Sequence, residues 1–112
     1  MKRPDSNTLQ QQALQQVNEF HQKLTATLGY QVEIILFGSQ ARGEATDESD
    51  IDVLVILPDL EKTTLDIVLE TAWEVSFEAG KVLSVIPVAQ KEMELFSASP
   101  FFKKVQREGI PV

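Results

Sequence analysis

The chain has 112 residues, 43% of them hydrophobic and 24% charged, with a formal net charge of −7 and no cysteine. This is enough apolar material for one small domain over residues 1–112, and it excludes disulfides and thiolate metal sites. The acidic balance speaks against general nucleic-acid binding, which requires a basic stripe, and suits a basic partner better.

No stretch reaches the length of a membrane span, and the amino-terminal region, with Asp5 and a glutamine-rich run, lacks the apolar segment of a secretion signal. A cytoplasmic protein without membrane contact is therefore expected. From Ser6 to Leu28 the residues Leu14, Val17, Phe20, Leu24 and Leu28 recur near helical spacing, the glutamines form the wet side, and Gly29 is a stop signal. His21 stands alone on this helix and is expected at an edge or in solvent, outside any chemistry.

Ile34-Ile35-Leu36-Phe37 reads as a short strand, followed at once by Gly38-Ser39 and a short helix around Gln40-Ala41-Arg42. Glycine permits close approach of a ligand to the backbone, and the first amides of a helix are unsatisfied donors suited to phosphate; Ser39 adds a hydroxyl. The same dipeptide also fits an ordinary turn with a helix N-cap. Arg42 is placed to touch a phosphate, to pair with the acidic loop after it, or to lie on the surface. In that loop Glu44, Asp47 and Glu48 are expected to face solvent.

After Ser39 and ten intervening residues comes Asp50-Ile51-Asp52, opening the apolar run Val53-Leu54-Val55-Ile56-Leu57. Read as a strand, the run points both carboxylates to one side with Cα atoms about 6.6 Å apart. At an effective dielectric near 20 such charges repel by about 2.5 kcal/mol, which a shared divalent cation turns into attraction. A phosphate cradle followed by a carboxylate pair able to hold Mg²⁺ suggests a nucleoside triphosphate.

After Pro58-Asp59 a helix is expected from Glu61 to Ala79. Leu65, Leu69, Ala72 and Ser76 form one stripe and Trp73 and Phe77 a neighbouring one, a wide apolar arc fitting a helix sandwiched between sheet and first helix, or a subunit contact at Trp73 or Phe77. The third strand, Val82 to Val88, contains Pro87, which marks an edge or a bulge. Ser99 has the character of an N-cap and Pro100 of a first helical residue, leading through adjacent Phe101 and Phe102 to Gly109. One of the two phenylalanines must face away from the core direction of the other. The element order gives an α+β fold, a small mixed sheet packed with helices.

The string Phe37-Gly38-Ser39-Gln40-Ala41-Arg42-Gly43 through Ser49-Asp50-Ile51-Asp52-Val53-Leu54-Val55 resembles the signature of the polymerase-beta-type nucleotidyltransferase superfamily, and is similar to its smallest members, the minimal nucleotidyltransferases. The resemblance implies the polymerase-beta-like fold and transfer of a nucleoside monophosphate, AMP from ATP, to an acceptor hydroxyl with release of pyrophosphate. It implies that Gly38 and Ser39, with Arg42 beside them, bind the triphosphate, and that Asp50 and Asp52 are the catalytic carboxylates holding Mg²⁺, as one ion or two. It also implies a partner, a helical HEPN-domain protein paired with the transferase as toxin with antitoxin, the acceptor then being a hydroxyl of the toxin.

The chain departs from the superfamily's pattern on the third strand, where a further carboxylate is expected and Val82-Leu83-Ser84-Val85-Ile86-Pro87-Val88 holds none. Ser84 is the candidate for that place, while Glu78, Glu92 and Glu94 fall outside the strand. An alternative function follows, a catalytically silent nucleotide-binding subunit that acts by binding its partner. The nucleotide base, the acceptor and any oligomeric state are open at this level.

Overall fold

The computed structural model describes residues 5–112; the first four residues of the expected 1–112 domain lie outside the described residues. The first helix, α1 (Ser6–Leu28), begins where the Asp5 carboxylate accepts a hydrogen bond from the Thr8 amide at 2.8 Å. It ends at Gly29, whose φ of 82° turns the chain and lets its N–H reach the Thr25 carbonyl. The remaining elements follow as β1 (Glu33–Phe37), α2 (Gly38–Arg42), β2 (Ile51–Leu57), α3 (Lys62–Ala79), β3 (Leu83–Ala89), a 3₁₀ turn, α4 (Met93–Ser97), α5 (Pro100–Glu108) and the two-residue β4 (Ile110–Pro111).

The strands form one sheet in the order β3-β2-β1-β4. β1 runs antiparallel to β2 and β4, while β2 and β3 are parallel and are joined through α3, the crossover a parallel pair requires. The fold is thus α+β with a mixed sheet, as expected. β3 is an edge strand and carries Pro87, where a missing N–H costs no bond to a further strand.

Alternation along β2 divides the interior in two. Ile51, Val53, Val55 and Leu57 point to the face covered by α1 and α3, where Val17, Phe20, Leu24, Val68, Ala72 and Val75 are buried. Leu54 and Ile56 point to the other face, against Phe102 and Val105 of α5. Phe101, by contrast, is exposed and packs edge-on against Phe37, so the adjacent phenylalanines do diverge.

The helical faces differ in part from expectation. On α1 the buried set is Leu9, Ala13, Val17, Phe20 and Leu24, with Leu14 and Leu28 half-buried at its border. On α3 the core-facing residues are Val68, Thr71, Ala72 and Val75, whereas Leu69, Trp73 and Phe77 are exposed. Of the expected stripe Leu65, Leu69, Ala72 and Ser76, Ala72 is buried, Leu65 and Ser76 are half-buried and Leu69 faces outward. A small sheet backed by two helices covers only part of a helix this apolar, and the side chains buried there include the small Val68, Thr71, Ala72 and Val75, with the indole of Trp73 left outside.

Candidate functional site

The site residues expected from the sequence gather at the junction of β1, α2 and β2. Gly38 opens α2 with φ of 76°, a conformation L side chains rarely adopt. A Cβ placed there would stand 2.5 Å from Asp52 Oδ2, so the backbone at the strand-to-helix turn lies directly against that carboxylate. Ser39 sits in the first turn of α2 and is not its N-cap; Phe37 holds that position without a side-chain cap. Gln10 of α1 fixes the far end of α2, its amide donating to the carbonyls of Gln40 and Ala41 at 3.0 and 3.1 Å.

Asp52 is the second residue of β2, whereas Asp50, expected at the opening of the strand, lies one residue ahead of it. The Ile51 amide between them is tied to the Val82 carbonyl at 2.9 Å. Asp50 is exposed and Asp52 half-buried. Burial, then the neighbouring Asp50 charge, push the Asp52 carboxyl above the ordinary aspartate value, and Arg42 opposes the shift. The two carboxylates and the guanidinium thus share one electrostatic site.

Register places Phe37, Asp52 and Ser84 in one row across β1, β2 and β3, on the face that α5 covers. Ser84 is the direct neighbour of Asp52 on the parallel strand. Among the described residues no group of three or more His, Cys, Asp or Glu side chains converges as a metal site. The available oxygen donors are the Asp50 and Asp52 carboxylates, a pair whose mutual repulsion and partial burial suit a hard divalent cation completed by water and phosphate oxygens.

Arg42 pairs with Glu44 at 3.0 Å and with Glu108 of α5 at 3.6 Å, and the Glu44 hydrogen bond, the stronger influence, pushes its pKa further up. Of the three roles open to it in the sequence, pairing with the acidic loop is the one these contacts display. Beside it lies a cavity of about 160 Å³ lined by Phe37, Gly38, Arg42, Phe101, Lys104 and Glu108. Lys104 and Glu108 were missed in the sequence because they belong to a helix whose docking on the sheet depends on the non-local burial of Phe102 and Val105. Their i, i+4 spacing is a local signal, but nothing local ties it to Gly38. Glu44, Asp47 and Glu48 are exposed, and His21 lies on α1, away from this junction.

Residues 14–110 match the family model described as a nucleotidyltransferase domain. A Methanocaldococcus jannaschii protein named "Putative protein adenylyltransferase MJ1305" is 36% identical over 88 residues, covering 75% of this chain and 60% of that protein, so the match spans less than two thirds of the relative's length. A second protein of the same organism, named "Putative protein adenylyltransferase MJ0604", is 36% identical over 80 residues, with 69% of this chain and 73% of that one covered. Among solved structures, a Sulfolobus solfataricus protein described as "a putative nucleotidyltransferase" shares the fold at a TM-score of 0.59 and 17% identity, covering 98% of this chain and 87% of its own. A toxin-antitoxin structure, MntA-HpeT in a mutant form, matches at a TM-score of 0.51 and 25% identity, over 80% of this chain and 66% of that one. Among the described residues no helix is long and apolar enough to cross a membrane.

Proposed function

The chain belongs to the nucleotidyltransferase domain family, and from that premise we propose that it transfers AMP from ATP to a hydroxyl of a partner protein, a HEPN-domain toxin for which it serves as antitoxin. The observation that carries the reading is the contact of the Gly38 backbone with the Asp52 carboxylate, which would bring bound phosphate and a carboxylate-held cation together. "Putative protein adenylyltransferase" is the name given to two relatives, and a toxin-antitoxin pair is the setting of one structural neighbour. The net charge of −7 suits a protein acceptor better than a polyanionic one.

In this reading Gly38 and Ser39 bind the phosphates, and Arg42 exchanges Glu44 and Glu108 for phosphate oxygens. Asp50 and Asp52 would hold Mg²⁺, which when bound neutralises charge developing on the phosphates. The pair together orients the α-phosphorus for attack by the acceptor hydroxyl, with pyrophosphate leaving in line. The acceptor is brought by the partner, whose hydroxyl proton must pass to solvent or to a partner group.

A second reading, a silent nucleotide-binding subunit, is favoured by one observation: Ser84, and no carboxylate, stands beside Asp52 on β3. One experiment tests both. The protein, Mg²⁺, α-labelled ATP and the candidate helical partner are mixed, and label on either protein is measured for wild type, for the Asp50→Asn, Asp52→Asn double variant and for Ser84→Asp. Label on the partner that the double variant abolishes supports transfer. Tight binding of Mg²⁺-ATP without transfer, and transfer gained on Ser84→Asp, supports the silent subunit.

A further inference from the structure

On α3 the residues Leu69, Trp73 and Phe77 project at successive four-residue spacings and are 55%, 66% and 76% exposed. The Trp73 and Phe77 rings stack, 5.5 Å between centroids and 16° between planes, so the apolar ridge is preformed. Between this ridge and the edge strand β3 runs a groove of about 430 Å³ whose floor includes Ala72, Leu83 and Val85. Lys81 lines the groove as well, and its ammonium donates to the Asp47 carbonyl.

Along the ridge's other border Asp66, Glu70, Glu74 and Glu78 form a parallel acidic stripe, also at four-residue spacing and exposed; Asp66 pairs with Lys62 at 2.9 Å and Glu78 with Lys23 at 3.3 Å, so the excess negative charge centres on Glu70 and Glu74. The stripe covers twelve residue steps, about 18 Å of helix. Such a border is the chemical clue to the occupant. A second copy of this chain seated on the ridge would set one acidic stripe against another, on molecules each carrying −7. An added strand on β3 would lose a ladder hydrogen bond at Pro87, in the body of that edge.

We propose that this face receives an amphipathic helix of a different protein, with aliphatic residues along the contact and Lys or Arg along the border that meets the acidic stripe. The Trp73 and Phe77 rings bury against the aliphatic face, and the groove takes side chains from the helix. The proposal deepens the partner in the reading above and rests on that reading only in taking the occupant to be a protein. α3 lies on the sheet face opposite Asp52, so the docking surface and the nucleotide site are separable by mutation.

Trp73 is the chain's single tryptophan, which makes its emission a direct probe of the face. The probes are two synthetic helical peptides with leucine along one face, one bordered by lysine and its twin by glutamate. The lysine peptide is expected to shift Trp73 emission to shorter wavelength in a saturable way, with affinity reduced tenfold or more by Phe77→Gln and by Glu70→Lys with Glu74→Lys. The equal charge change made elsewhere, Glu48→Lys with Glu94→Lys, should leave most of that affinity, and Asp50→Asn with Asp52→Asn should not alter it. Retained docking in that last variant, whatever its nucleotide binding, separates the two proposals. No shift with the lysine peptide, an equal shift with the glutamate twin, or equal weakening by the distant charge change would overturn the proposal. So would concentration-dependent self-association in sedimentation that Phe77→Gln abolishes, since the occupant would then be a second copy.

Discussion

The two faces of the sheet are built from the same strands and serve different ends. Against α1 and α3, β2 presents Ile51, Val53, Val55 and Leu57, and the packing is apolar apart from Thr64 and Thr71 of α3. Against α5 it presents Leu54 and Ile56, but the row at the strand's start holds Asp52, flanked by Phe37 and Ser84. A one-residue alternation thus places a structural core and a charged site on opposite sides of one backbone. The charged end costs stability, since Asp52 is half-buried beside Asp50, and the apolar face must supply the surplus that tolerates it.

That division gives the largest expected effect. Phe20 is fully buried against the sheet from α1, and Phe20→Ala should lower unfolding free energy by about 3–5 kcal/mol, a large share of the roughly 5–15 kcal/mol a domain of this size possesses. Denaturant titration checks it. A loss below about 1 kcal/mol would mean that the α1 and α3 face does not dominate the stability, and the asymmetry drawn between the faces would fail.

The intermediate effect lies at the boundary between the faces. At Gly38 a methyl group meets both an unfavourable φ and the Asp52 carboxylate, so Gly38→Ala should cost about 1–3 kcal/mol and also weaken Mg²⁺-triphosphate binding in calorimetry. Here stability and ligand binding fall together, unlike Phe20→Ala, which should leave the affinity of the remaining folded fraction unchanged. Wild-type affinity in a stably folded Gly38→Ala protein would show that the close approach is not part of a phosphate site.

How legible these faces were in the sequence depended on how local their determinants are. α1 was fixed by apolar spacing and a terminal glycine, and the Ser99-Pro100 start of α5 by capping chemistry, all short-range signals. The Gly38-Ser39 turn and the Asp50, Asp52 pair were readable for the same reason. On α3 periodicity offered more apolar surface than the sheet covers, and spacing alone does not tell Val68 and Val75 from Leu69 and Trp73. β4 was missed because two residues ending in Pro111 carry no strand signal; they pair only because β1 leaves an edge open, with the Val112 amide reaching the Ile34 carbonyl at 2.9 Å. Glu108 meets Arg42 only after α5 docks, a contact between residues far apart in the chain.

The smallest expected effect bears on the charged end itself. Asp52 is held above its ordinary value in the folded protein, so ionising it opposes folding: its protonated form contributes stability that is complete below the unfolded-state pKa, about 3.9, and is lost as pH rises through the folded-state value. In chelator-containing buffer at neutral pH the Asp50→Asn, Asp52→Asn variant should therefore match wild type or exceed it by less than about 1 kcal/mol, because both groups retain solvent contact. The advantage should shrink as the pH falls and the wild-type carboxyl takes up its proton. Added Mg²⁺ should reverse the order, stabilising only the chain that keeps its carboxylates. Thermal melts across pH, with and without the metal, measure all three trends. A variant several degrees less stable than wild type in the chelator would mean that the aspartates hold the fold together, and the charged end would then be structure in the same sense as the apolar face.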